Sequence, residues 1–161
     1  MEDIRIDYLP LKLIELLEKK KLTLSTAESC SGGLLSHFIT NIDGISKFFK
    51  GGIICYSNES KINLLKVETE ILKKYGSVSL EVTEAIARNV RNIFSSDIGI
   101  GITCYASQHE DIITLKGLSF ISIASASSTK TFRKKYKGSR VYIKSSIVKF
   151  ALEQLINVLK Q

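Results

Sequence analysis

Runs with the helical period alternate with short β-branched runs along almost the whole chain, and this alternation limits the fold more than any other feature. Leu9, Leu13, Ile14, Leu16 and Leu17 form one apolar stripe across 8–20, with Glu15, Glu18, Lys19 and Lys20 off it. A short strand is predicted at 22–26, then a helix bearing Leu34, Leu35, Phe38 and Ile39. GGIICYS at 51–57 reads as a strand, followed by a helix capped by Ser57 or Asn58 and burying Ile62, Leu64 and Leu65. A short helix over 68–75 stops at Gly76. Ser79 is placed to cap a helix carrying Val82, Ile86, Val90 and Ile93, and Glu81 suits its positive end. Strands follow at 97–104 and 117–125, the first with glycines that weaken it or admit close approach. Residues 129–136 alternate as an edge strand, and a final helix runs over 139–160 with Ile147, Phe150, Ala151, Leu155, Val158 and Leu159 inward. Such interleaving specifies a single α/β domain over 1–161, with helices layered on a central sheet. It does not order the strands.

Composition narrows the function classes. The apolar fraction of 44% supports a core, and 10 Gly with one Pro exclude fibrous and low-complexity chains. No apolar run approaches the roughly 18–20 residues that cross a bilayer. MEDIRIDYLP has neither the basic start nor the apolar centre of a signal peptide, so a cytoplasmic protein is expected. Cys30, Cys55 and Cys104 are odd in number and lack CxxC spacing, which argues against a disulfide framework or a structural zinc. With His37 and His109 the only histidines and no acidic cluster, neither metal nor cofactor is expected. His37 reads as a partly buried packing residue, and His109 as a loop residue within reach of a ligand.

The formal charge is +7, and its whole excess lies in 130–144, where seven basic residues meet no acid. Outside that stretch 16 basic residues balance 16 acidic ones. Two readings stand: lysines on a solvated edge strand, which block strand-to-strand aggregation, or an anion site. Nucleic acid is not the expected partner, because no recognition motif accompanies the charge and its aromatics are few.

TAESCSGG at 26–33 is the segment richest in chemistry. It offers Glu28, Ser29, Cys30 and Ser31, and Gly32 and Gly33 let backbone N–H groups approach a ligand at a helix start. An oxyanion site is one reading; an ordinary turn with Ser29 or Ser31 as N-cap is the other. A serine needs a base to become a nucleophile, and no histidine is well placed. A desolvated lysine is the available choice, and Lys61, early in the helix after Tyr56, is the candidate. Taken alone, it is equally a surface lysine. Cys30 is a weaker nucleophile candidate for the same lack of a histidine.

TAESCSGG, FFKGGIICYSNESK, YGSVS at 75–79, the strand 97–103 and GSR at 138–140 occur in that order over about residues 8–160. Together they resemble the CinA C-terminal domain family, whose better-characterised members are nicotinamide mononucleotide deamidases. The chain resembles the stand-alone form, without the separate N-terminal domain. The resemblance implies a three-layer α/β/α sandwich with a mixed central sheet, a homodimer, and hydrolysis of the carboxamide of nicotinamide mononucleotide, a small-molecule nucleotide. It makes Ser29 the nucleophile, Lys61 the base and Tyr56 a residue assisting them. Glu28, Ser31, Gly32 and Gly33 surround the nucleophile, Thr103 and Ser79 lie near the pocket, and Arg140 lies near the substrate phosphate, where its planar fork suits the task.

The chain departs from the family after its third strand. Members read TGIAGP, then GG and KPVG; here the text is TCYASQHED at 103–111 and KG at 116–117. Tyr105 and Gln108 are large where the family's loop is compact. The primary reading is an active amidase. The alternative is a catalytically degenerate relative that binds a nucleotide or acts on another amide.

Overall fold

The computed structural model describes residues 8–107 and 115–161; Gln108, His109 and the rest of 108–114 lie outside the described residues. Five strands form one sheet: β1 (Leu24–Glu28), β2 (Phe49–Ile54), β3 (Ile98–Cys104), β4 (Leu118–Ala124) and β5 (Thr129–Lys135), in the order β2-β1-β3-β4-β5. β1 runs parallel to both β2 and β3, whereas β4 and β5 are antiparallel. The sheet is therefore mixed, with a parallel half and an antiparallel half.

Helices cover both faces. On one lie α1 (Tyr8–Lys20), α2 (Leu34–Thr40) and α6 (Arg140–Lys160), packed on Ile98, Ile100, Ile102, Ile121 and Ile123. On the other lie α3 (Asn58–Asn63), α4 (Thr69–Tyr75) and α5 (Leu80–Ile93), around Leu65, Val82, Ile86 and Val90. This is the expected three-layer architecture, and the predicted elements appear within a few residues of their expected bounds. No helix among the described residues is long and apolar enough to cross a membrane.

Alternation along β3 explains how tightly the layers close. Its isoleucines face α1, α2 and α6, and its glycines face α5. A Cβ on Gly99 would lie 2.1 Å from the Ala87 carbonyl oxygen, and one on Gly101 would lie 2.5 Å from that of Thr83. The glycines let α5 rest directly on the sheet backbone. Thr103, next on that face, is fully buried and shares a 2.7 Å hydroxyl hydrogen bond with Thr83. Ser79 caps α5 by accepting from the Val82 N–H at 3.3 Å.

β5 is the sheet edge, with Arg133, Lys134 and Lys135 exposed. The edge-strand reading of the basic stretch agrees with this placement. Lys134 stacks its ammonium over Phe150 at 4.5 Å, which uses the charge on an aromatic face of the protein itself.

Gly101→Ala should destabilise the protein by about 1–3 kcal/mol, because a packed backbone carbonyl must move to admit the methyl group. Urea unfolding followed by circular dichroism reads this, and the analogous Gly76→Ala, whose Cβ would meet nothing within 4 Å, reports the cost of positive φ alone.

Candidate active site

The three parallel strands end together, and their carboxyl ends carry the polar residues. In open α/β sheets ligands bind outside these ends, where successive connections leave in opposite directions. Here the chain leaves β1 toward β2 through α2 and leaves β3 toward β4, so the crevice opens between β1 and β3. Ser29 follows β1, Cys55 and Tyr56 follow β2, and Cys104 closes β3.

The turn after β1 is built from its glycines. Gly32 and Gly33 have φ of 63° and 92°, a region that favours glycine. Their reversal brings the start of α2 back over the end of β1. The N-cap of α2 is Gly33, without a side-chain cap, so neither Ser29 nor Ser31 plays that part. Glu28 does it from the strand: its carboxylate accepts from the Leu35 and Ser36 N–H groups at 2.9 and 2.8 Å, and from the Ser36 hydroxyl at 2.6 Å. Glu28 is fully buried and holds the helix start rather than lining the cavity.

Lys61 is the decisive side chain. Ser57 and Ser60 cap α3 reciprocally, each hydroxyl accepting from the other residue's N–H, and Lys61 follows at once. Its side chain is 1% exposed. Nζ donates to the carbonyls of Cys55 and Tyr56 at 2.9 and 3.3 Å and lies 3.2 Å from Ser29 Oγ. No ion pair to Lys61 forms among the described residues. Burial therefore holds its pKa below the ordinary lysine range, against smaller opposing effects of the Cys55 thiol and Glu59. Cys55, a buried free thiol, is pushed up to about 11, mainly by burial.

Ser29, Cys30, Tyr56, Lys61, Cys104, Tyr105 and Arg140 are among the residues lining one cavity of about 170 Å³. Ser77, Val78, Ala106 and Ser107 complete the lining. Arg140 starts α6 behind the Ser139 cap. Its guanidinium donates to the Tyr56 hydroxyl at 2.7 Å and to Ser107 Oγ at 2.5 Å. These partners are neutral, and no anionic partner of this cation lies among the described residues.

Several sequence-derived placements change. The Tyr56 side chain is 60% exposed and turned to Arg140; what Tyr56 lends to Lys61 is its main-chain carbonyl. Thr103 and Ser79 are built into the β3–α5 contact. The Gly32 N–H donates to the Ser29 carbonyl inside the turn, whereas the N–H groups of Cys30 and Ser31 have no partner among the described residues. Ser31 Oγ is buried without a partner, and neither Ser31, Gly32 nor Gly33 lines the cavity. His37 is exposed beside Asn41 rather than packed.

The largest correction concerns Cys30. It is disulfide-bonded to Cys104, with Cα atoms 5.6 Å apart, and so is not a free thiol nucleophile. An odd cysteine count signals one leftover thiol, here Cys55, and leaves a single crosslink open. No described group of three or more His, Cys, Asp or Glu is arranged to hold a metal ion.

The CinA C-terminal domain profile matches residues 7–159. The chain belongs to this family. It is 45% identical over 140 residues to a CinA-like protein of Prochlorococcus marinus, covering 83% of this chain and 32% of that protein. The chain thus spans about a third of the length of the curated relatives it matches. A competence or damage-inducible protein from Enterobacter asburiae superimposes with a TM-score of 0.92 at 29% identity, over 98% of this chain and 99% of that one. The competence/damage inducible protein CihA from Agrobacterium tumefaciens gives 0.90 at 28% identity, over 97% and 96%.

Lys61→Met should raise stability at neutral pH by about 1–2 kcal/mol, because an apolar side chain removes the cost of a buried amine with no carboxylate beside it. The folded pKa is lowered, so wild-type stability should rise with pH from that folded value up to the ordinary lysine range, as the unfolded chain binds the extra proton. Chemical denaturation across pH 7–10 checks both, and the Met variant should lose this pH dependence.

Proposed function

We propose that this CinA-family protein is a nicotinamide-nucleotide amidase, hydrolysing the carboxamide of nicotinamide mononucleotide to nicotinic acid mononucleotide and ammonia. The observation that carries the reading is the 3.2 Å contact between Ser29 Oγ and a buried Lys61 amine without an anionic partner. In the neutral amine, two N–H bonds reach the Cys55 and Tyr56 carbonyls, and the lone pair is left for the Ser29 hydroxyl. Lys61 takes the hydroxyl proton as Oγ attacks the carboxamide carbon. The N–H of Cys30, without a partner among the described residues and on the cavity lining, is the donor available to the oxyanion, worth about 3–4 kcal/mol when well aimed. Collapse expels ammonia with the proton returned by Lys61. Water, deprotonated by Lys61, then cleaves the acyl-serine to the carboxylic acid and restores Ser29.

Size and charge support the same substrate. A cavity of about 150 Å³ holds benzene in another protein, so one of about 170 Å³ suits a single six-membered ring. Arg140 at its edge supplies a forked cation for the phosphate. A homodimer, by family resemblance, and a cytoplasmic location, from the N-terminal sequence, belong to the same proposal.

The Cys104–Ser107 wall keeps the second reading open, a nucleotide binder without turnover. It replaces a compact glycine-rich sequence with Tyr105 and a crosslink. Ammonia release from nicotinamide mononucleotide separates the two readings. Ser29→Ala and Lys61→Ala should each lower it by at least about 10³-fold while remaining folded. Nucleotide-dependent thermal stabilisation without any ammonia from the wild type would favour the binder.

Activity should rise with pH and level off below the ordinary lysine range, because the neutral amine is the working form and burial lowers its pKa. Lys61→Arg, cationic throughout, should be inactive at every pH. Arg140→Ala should raise KM for the mononucleotide by about 10–100-fold, the worth of a charge-assisted hydrogen bond, and leave KM for the riboside nearly unchanged.

A further inference from the structure

We propose that Cys30 and Cys104 are a redox-modified site that fixes the turn carrying Ser29 to the end of β3. The β1–β3 ladder ends at the pair Glu28 and Ile102, and one further backbone bond extends it, from the Ser29 N–H to the Ile102 carbonyl at 3.1 Å. Cys30 and Cys104 each stand two residues past that last pair. Cys30 opens the turn after β1 and Cys104 is the last residue of β3; the turn leaves their Cα atoms 5.6 Å apart, and the disulfide joins the two segments where hydrogen bonds stop.

The turn beyond Cys30 is weakly anchored. Ser31 Oγ has no partner, Gly32 and Gly33 adopt positive φ, and the Gly32 N–H closes only on Ser29 within the turn. Glu28 secures α2 on the far side of these glycines. Between these anchors the crosslink is the one covalent tether. It also ties the turn to Tyr105, Ala106 and Ser107, which come directly after Cys104 in the opposite wall. Its two states should differ in the order of the Ser29 turn, with the crosslinked state the better ordered.

The chemistry needs only a low-molecular-weight disulfide as oxidant. The thiolate of one cysteine attacks a sulfur of that disulfide, forming a mixed disulfide and expelling one small thiolate. The second cysteine thiolate then attacks the protein sulfur, closes Cys30–Cys104 and expels the other. The protein pair loses two electrons and two protons, and the small disulfide becomes two thiols. Both cysteines are nearly buried, at 5% and 7% exposure, and both line the cavity, so the reagent enters by the ligand's own route. A ligand in the cavity blocks that route and slows the exchange.

The test uses the full chain, equilibrated with reduced or with oxidised dithiothreitol, then alkylated after denaturation and weighed. Three alkylations are expected in the reduced state and one, at Cys55, in the oxidised state. Amide hydrogen exchange over 26–36 should be at least about fivefold faster after reduction. Cys104→Ala should exchange at the reduced rate in both buffers. Failure of the crosslink to form in oxidised dithiothreitol overturns the proposal, and so does equal exchange over 26–36 in the two states. The consequence for catalysis rests on the amidase reading: ammonia release should fall several-fold on reduction. A chain that releases no ammonia in either state, yet shows the exchange difference, refutes the amidase and upholds the redox site.

Discussion

A primary amine buried against a serine, with no carboxylate paired to it among the described residues, is the constraint on which the rest of the site depends. Water would solvate the ammonium and restore its ordinary basicity, so Lys61 must be kept dry. Its two carbonyl partners come from the chain just past β2, and its hydroxyl neighbour comes from the end of β1. Three pieces of backbone must therefore agree to within hydrogen-bonding distance. A capping box starts α3, a parallel ladder sets β1 beside β2, and a carboxylate inside the strand end fixes the helix after it. An apolar residue at position 61 would serve stability better, which is why the lysine points to chemistry.

That agreement is mechanical as well as chemical. The parallel half of the sheet presents three strand ends on one rim, and the antiparallel half stiffens the far side with a charged edge. Gly99 and Gly101 draw α5 onto β3 until backbone meets backbone. Thr83 and Thr103 then join the two at the level of the cavity. The polar residues nearest the site thus fall into two kinds. Glu28, Ser79 and Thr103 hold the frame, while Ser29, Lys61 and Arg140 face the space it encloses.

Most of the architecture was legible because local signals and tertiary packing agree. The Ser57 and Ser79 caps and the Gly76 stop each name a boundary without reference to distant residues. Lys61 was legible as a candidate base because a serine needs one and no histidine is well placed, but 32 residues separate it from Ser29 and nothing local joins them, so the family pattern was needed to prefer the pair over a surface lysine. Misplacements arose from orientation, which a sequence does not carry. Tyr56 stands at the right position, but its ring points outward. Glu28 stands beside Ser29, but its carboxylate turns into α2. The Cys30–Cys104 bond was hidden for a different reason. It joins residues 74 apart, and the register that aligns them exists only once β1 lies against β3.

The cavity then poses two separable demands on whatever fills it. On the proposed amidase reading, the Ser29–Lys61 pair inside it selects an electrophilic carbon. On the same reading Arg140, at the edge, selects an anion, because its guanidinium now shares hydrogen bonds with two hydroxyls and would gain charge-assisted ones from a phosphate in their place. Exchange of that kind also releases Tyr56 and Ser107, one from each side of the cavity. Binding of an anion at the edge would thereby be coupled to the walls around the serine, and the crosslinked Cys30–Cys104 wall would limit how far that coupling can displace Ser29.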